Sequence, residues 1–155
     1  MDKEELMREA IRLSEENVRN GGGPFGAVIA RDGEIVATGV NRVTSENDPT
    51  SHAEINAIRA AGRILGTFDL SGCEIYSSCE PCPMCLGAIY WAHLDRLYFG
   101  NDKKNAAEIG FDDAFIYKEL SLKPSDRALK ASRLLPGEAV RAFREWSSKD
   151  DKIAY

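Results

Sequence analysis

Leu6, Ala10 and Leu13 recur at helical spacing, with Glu16-Asn17 in step and Val18 extending the apolar side, so residues 3–19 are predicted to form an amphipathic helix. Gly21-Gly22-Gly23-Pro24 ends it. Two short apolar runs follow, Ala27-Val28-Ile29-Ala30 and Glu34-Ile35-Val36-Ala37, flanking Arg31-Asp32-Gly33. An Asp-Gly turn between such runs predicts a β-hairpin. After a polar loop from Asn41 to Ser51, a helix is expected from about His52 to Leu65, with Ser51 as N-cap and Gly66 as stop. Cys73–Ser77 reads as a strand, Pro83–Ala92 as a helix, Arg96–Phe99 as a strand and Lys103–Ile109 as a short helix. Residues 110–124 read as irregular, residues 128–135 as a last strand or an extended segment, and Pro136 opens a helix to about Ser147. Alternating strands and helices predict an α/β fold, a three-layer α-β-α sandwich. Repeats and domain linkers are not evident, so residues 1–155 read as a single domain.

Composition leaves this picture unchanged and narrows the function. Apolar residues make up 43% of the chain and charged residues 29%, enough for a real core. The net charge is −5. Phosphate binding usually shows as a basic surplus, so a small-molecule substrate is expected and nucleic acid is not. The start, Met1-Asp2-Lys3-Glu4-Glu5, is unlike a secretory leader, and a spanning apolar stretch is not seen. A cytoplasmic protein that does not engage a membrane is the expectation.

The cysteines change the picture most. Cys79, Cys82 and Cys85 crowd into one short stretch, away from Cys73 only by a strand. In a reducing compartment, such a group points to a metal or catalysis rather than to disulfides. Ser51-His52-Ala53-Glu54 and Glu80-Pro81-Cys82-Pro83-Met84-Cys85 read as H-x-E followed by P-C-x-x-C. Neutral imidazole and thiolate are good zinc ligands. His52, Cys82 and Cys85 would leave the fourth tetrahedral place for water, making the site catalytic. Cys79 or His93 as a fourth ligand would instead make it structural. Cys82 and Cys85 share one face of a first helical turn, where the helix N-terminus favours thiolate. Ser51-x-x-Glu54 is also the capping-box pattern, so Glu54 is either only a cap or has another role beyond the helix tip. Both motifs at helix starts favour a role other than capping. The backbone N–H of Ala53 or of Cys82 offers a donor to water or substrate.

These residues resemble the zinc-dependent cytidine and purine deaminase superfamily, whose H-x-E and P-C-x-x-C signature they carry. The resemblance covers about residues 1–120 and implies a central five-stranded mixed sheet between helical layers. It also implies that Glu54 shuttles protons and does not ligate zinc. The stretches Gly22–Val28, Asn47–Thr50, Ser78–Cys85, Ala88–Ala92 and Ile109–Asp113, with the terminal Tyr155, look most like the bacterial guanine deaminases. That likeness implies hydrolysis of guanine to xanthine and ammonia. It implies base packing by Phe25, base binding by Asn41, substrate reading by Asp113, and a homodimer. In that dimer a C-terminal segment, about residues 121–155, is exchanged so that Tyr155 caps the partner's site. The tRNA adenosine deaminases share the signature, as do deaminases of cytosine, other aminated purines and triazines. A structural zinc module recruiting a partner is the non-enzymatic alternative.

Overall fold

A computed structural model of residues 1–155 gives the order α1 (Lys3–Arg19), β1 (Gly26–Arg31), β2 (Glu34–Val40), α2 (Val43–Glu46), α3 (Ala53–Leu65), β3 (Glu74–Cys79), α4 (Pro83–Trp91), β4 (Arg96–Asn101), α5 (Lys103–Glu108), α6 (Ala114–Ser121), a 3-10 turn at Pro124–Asp126, and α7 (Pro136–Ser148). The chain divides into two compact units, Met1–Ala114 and Phe115–Tyr155.

Local chemistry explains the elements of the first unit. Asp2 and Glu5 form a reciprocal capping box that opens α1. The hairpin turns on Asp32 and Gly33, both at positive φ (52° and 78°), the conformation that Asp-Gly supplies at a two-residue hairpin turn. The strands order β2-β1-β3-β4. β1 is antiparallel to β2 and β3, while β3 is parallel to β4, so the sheet is mixed.

Alternation along the strands builds two cores. Ala27, Ile29, Ala37 and Ile75 face α3 and α4, meeting Ala57, Ala61, Ile89 and Ala92. Val28, Ala30 and Tyr76 face the other way and meet Leu6 and Ala10 of α1. The result is the expected three-layer sandwich. Small residues let the layers close: a Cβ on Gly39 would sit 2.2 Å from the Ala53 carbonyl oxygen and 2.4 Å from the Ala57 nitrogen. That contact brings the first turn of α3 directly onto β2.

Three expectations are corrected. The sheet has four strands, not five. Residues 128–135 form no ladder, and Leu129 and Leu134 are exposed. That stretch is rich in alanine and leucine and lacks the β-branched and aromatic residues that favour strands. Residues 110–124 are not wholly irregular, because α6 lies within them; the Asp112 side chain accepts from the Ala114 N–H at its start. Ser51 is not the N-cap of α3. His52 holds that position, and the Ser51 hydroxyl donates to Glu46 and accepts from the Asn56 side-chain amide.

The second unit differs in kind. None of residues 115–155 is buried, although Phe115, Ile116, Leu120, Leu134, Phe143 and Trp146 are large apolar side chains. None of the helices is long and apolar enough to cross a membrane.

Candidate metal centre and base pocket

Two helix starts meet at the C-terminal end of β3. His52 is the N-cap of α3 but makes no side-chain cap bond, so its imidazole is left for other work. Cys82 is the N-cap of α4, with Pro83 next as its first helical residue, and Cys85 lies in the first turn. The His52 Nδ1 is 3.6 Å from the Cys82 Sγ and 3.5 Å from the Cys85 Sγ. All three donor atoms lie within 4.8 Å of one another. Tetrahedral zinc, with its usual bond lengths to nitrogen and sulfur, places those ligands about 3.6 Å apart. The donor set and spacing therefore fit zinc.

Electrostatics agree with that chemistry. A hydrogen bond from Cys85 and another from His52 pull the Cys82 thiol down to about 4, against the opposing effect of burial. The bond to Cys82 and burial push the Cys85 thiol far up. Zinc takes its cysteine ligands as thiolates, so binding it would release any thiol proton that remains. His52 is raised, first by its bond to Cys82. A bond from the imidazole to the Pro49 carbonyl acts in the same direction. A carbonyl behind a ligating histidine sets its tautomer and orientation. The Asp48 side chain holds this turn by accepting from the Thr50 N–H and hydroxyl.

Neither further candidate ligand joins the group. Cys79 is buried at the end of β3, its thiol pushed up to about 11 by burial, and its Sγ donates to the Asp102 carbonyl at 3.9 Å. His93 lies beyond the far end of α4, where its Nδ1 is 3.5 Å from an Asp69 carboxylate oxygen. Three protein ligands remain, which leaves one tetrahedral position open.

Glu54 is not a cap. Its carboxylate is buried and accepts from the Ser77 hydroxyl of β3 at 3.0 Å. Burial raises its affinity for a proton, while its own backbone N–H, Ser77 and Cys85 oppose that rise. A carboxyl that holds a proton readily next to an open metal position is suited to proton transfer.

The other predicted residues divide. Phe25 precedes β1 and meets the Phe111 ring edge to face, with centroids 5.0 Å apart and planes at 86°. Asn41 is buried just after β2; its side-chain oxygen accepts from the Val43 N–H, and its backbone N–H donates to the Phe25 carbonyl. Ala53 is the fully buried first residue of α3. Asp113 is half-buried, with its carboxyl raised by burial and by the Cys82 thiolate and lowered by Lys103. Tyr155 is the exposed last residue of the second unit.

Two supporting residues escaped the sequence reading. Ser77 is one, and its signal was a polar residue two places after Ile75, on the same strand face. Asn17 of α1 is the other: its buried amide donates to the Gly23 carbonyl at 2.7 Å and the Asn41 carbonyl at 2.9 Å. It carried no motif signal.

Residues 1–101 match the cytidine and deoxycytidylate deaminase zinc-binding region. Over 156 aligned residues, covering 100% of both chains, the sequence is 46% identical to guanine deaminase of Bacillus subtilis strain 168. An X-ray structure of guanine deaminase from Bacillus subtilis superposes with a TM-score of 0.97 at 46% identity, covering 100% of this chain and 99% of that one. A tRNA-specific adenosine deaminase of Aquifex aeolicus is 38% identical over 110 residues, covering 70% of this chain and 73% of its own. With a three-ligand zinc site at two helix starts and a buried glutamate beside it, this chain belongs to the zinc-binding cytidine and deoxycytidylate deaminase family.

Proposed function

We propose that this protein hydrolyses guanine to xanthine and ammonia in the cytoplasm, as a zinc-dependent deaminase. One observation carries the choice of substrate: the likeness to a guanine deaminase runs the full length of both chains, C-terminal unit included. The likeness to the Aquifex tRNA enzyme covers 70% of this chain. The acidic balance points the same way, because a tRNA substrate calls for phosphate-binding surface.

His52, Cys82 and Cys85 would hold zinc, which would supply a water acidified towards neutrality. Glu54 would accept a proton from the attacking water. It would pass that proton to a ring nitrogen as the water oxygen bonds C2, then take the second proton from the new C2 hydroxyl and give it to the amine, so that the C2–N bond breaks, ammonia departs and the carboxylate is regenerated. Phe25 packs against the purine face, Asn41 hydrogen-bonds the base, and Asp113 reads its edge. The backbone N–H of Ala53 orients water or substrate. Fixing the base in this way converts a bimolecular attack into one between held partners.

The working unit of this proposal is a homodimer that exchanges its C-terminal segment, about residues 121–155, so that Tyr155 caps the partner's site. Support comes from the second unit, which buries none of its residues in a single chain. Large apolar side chains left this exposed call for a covering surface.

Ammonia release from guanine, adenosine-containing tRNA and cytidine tests the function. Turnover of guanine alone is expected; turnover of tRNA alone would reassign the substrate. Glu54→Ala should keep zinc and lose turnover, and full turnover in that variant would remove Glu54 from the mechanism. Deleting residues 150–155 should weaken guanine turnover, and unchanged kinetics would remove Tyr155 from the site.

A further inference from the structure

We infer that Ser77 is a positioning residue for the Glu54 carboxylate, fixing which of its oxygens faces the reacting centre. The inference rests on the proposed deaminase reading, in which Glu54 carries the proton.

Ser77 lies on β3 between the registers of Ala27 on β1 and Phe99 on β4. The face it shares with Ile75 is otherwise apolar, packed by alanines and Ile89 of α3 and α4. Ser77 is 2% exposed. A hydroxyl buried among such side chains is costly unless it is hydrogen-bonded. Its partner is the Oε1 of Glu54, at 3.0 Å, reaching in from the first turn of α3. The two residues stand on different elements, so the bond ties the proton carrier to the sheet and not merely to its own helix.

The bond has a chemical consequence. A carboxylate turns easily about its last torsion, and Ser77 joins the Glu54 backbone N–H and Cys85 in holding it, as the donor that stands on the sheet. Ser77 holds Oε1. The serine hydroxyl donates to Oε1 whether Glu54 is ionised or carries its proton on Oε2. The carboxyl can therefore accept and return a proton without turning, and the hydrogen bond persists through both states. Preorganisation of this kind separates a positioned base from one that is merely nearby.

The experiment compares Ser77→Ala and Ser77→Thr with the parent, each assayed for zinc content and for steady-state kinetics on guanine. Ser77→Ala should keep the parent's zinc content and a KM within about twofold, while kcat falls about tenfold to a hundredfold, the scale of a misplaced catalytic group. Ser77→Thr keeps the hydroxyl on a β-compatible side chain and should restore kcat to within about threefold of the parent. A crystal structure of zinc-loaded Ser77→Ala should show the Glu54 carboxylate turned or spread over more than one orientation. An unchanged kcat in Ser77→Ala, or a Ser77→Thr variant as slow as Ser77→Ala, overturns the inference. If Ser77→Ala does not fold, Ser77→Cys takes its place, since it keeps volume but offers a weak donor. A slow Ser77→Cys beside an active Ser77→Thr supports the inference, and a Ser77→Cys at parent rate overturns it. The parent's own turnover of guanine tests the deaminase reading separately. Were the parent to deaminate another base, the same comparison would be read on that base.

Discussion

The side-chain amide of Asn17 bonds to the backbone of Asn41, 24 residues away in sequence, and with its second hydrogen to the Gly23 carbonyl. One amide at the last turn of α1 thus spends both donors on the two segments that flank Phe25 and Asn41. The packing is close: a Cβ on Gly22 would lie 2.5 Å from the Asn17 amide nitrogen. Asn17→Asp keeps the shape and removes both donors, setting a carboxylate against two carbonyl oxygens. Losing two buried hydrogen bonds is expected to cost about 2–4 kcal/mol of stability. KM for guanine should rise more than kcat falls, because the variant loosens the segments that carry the proposed base contacts and leaves the metal ligands and Glu54 in place. Urea denaturation and steady-state kinetics read the two effects. A KM equal to the parent's would separate Asn17 from the proposed base contacts.

Gly39 sets how closely α3 approaches the sheet, and through α3 it sets the position of His52 and Glu54. With the Ala53 carbonyl oxygen 2.2 Å from a Cβ built at Gly39, one added methyl must push the first turn of α3 outward. Overpacking of a tight core typically costs about 1–3 kcal/mol, and this contact is against backbone, which cannot rotate away. Gly39→Ala should lose about 3 kcal/mol or more, and the folded fraction should bind zinc more weakly. Thermal unfolding and metal analysis of the soluble variant check this. Parent-like values in both would mean that β2 yields instead of α3.

The residues that meet at the metal centre were legible because their motifs are local. H-x-E and P-C-x-x-C each fit within one helical turn, and Gly33 and Gly66 mark turns that need positive φ. The apolar run Ala27-Val28-Ile29-Ala30 marked β1, which feeds both cores. What the sequence reading lost was either a one-residue ambiguity or a long-range bond. Ser51 and His52 are adjacent polar residues, and only the tertiary pull of Cys82 and Cys85 decides that His52 holds the N-cap while its ring turns to the sulfurs. α6 was hidden because Asp112, which accepts from the N–H of its first residue, sits in a Gly-Phe-Asp-Asp stretch that looks like loop. Family likeness implied a fifth strand, but residues 128–135, read as a last strand or an extended segment, have weak propensity for strand and add none. The bonds of Ser77 and Asn17 span 23 and 24 residues, and local pattern carries no trace of such partners.

Cys79 and the ligand cysteines should separate cleanly. Cys85→Ser replaces a thiolate with a poor zinc ligand, and zinc content and turnover should fall together by at least about tenfold. Cys79 lies outside the three-ligand group and packs as a small buried side chain. Cys79→Ser should keep the parent's zinc content, and its loss of stability should stay near about 1 kcal/mol. Chelation of the parent should lower its melting temperature, and added zinc should restore it, because the metal binds the folded state. Zinc loss in Cys79→Ser would make Cys79 a ligand and the site structural.

Acid sensitivity should be traceable in part to Asp69, far from the metal. Its carboxyl is held below the usual range by the Ser71 hydroxyl, the Ser71 N–H and, more weakly, His93. A depressed folded value means that Asp69 favours the folded state above its unfolded value of about 4, and that this contribution fades as pH falls through the lower folded value. Asp69→Asn cannot titrate. The parent should therefore exceed the variant in stability at about pH 7, and the gap should narrow as pH drops towards about 3. The zinc site is common to both proteins, so its own pH dependence cancels in the difference. Urea midpoints measured across that range decide the matter, and a gap that stays constant with pH would show that Asp69 contributes through shape and not through its charge.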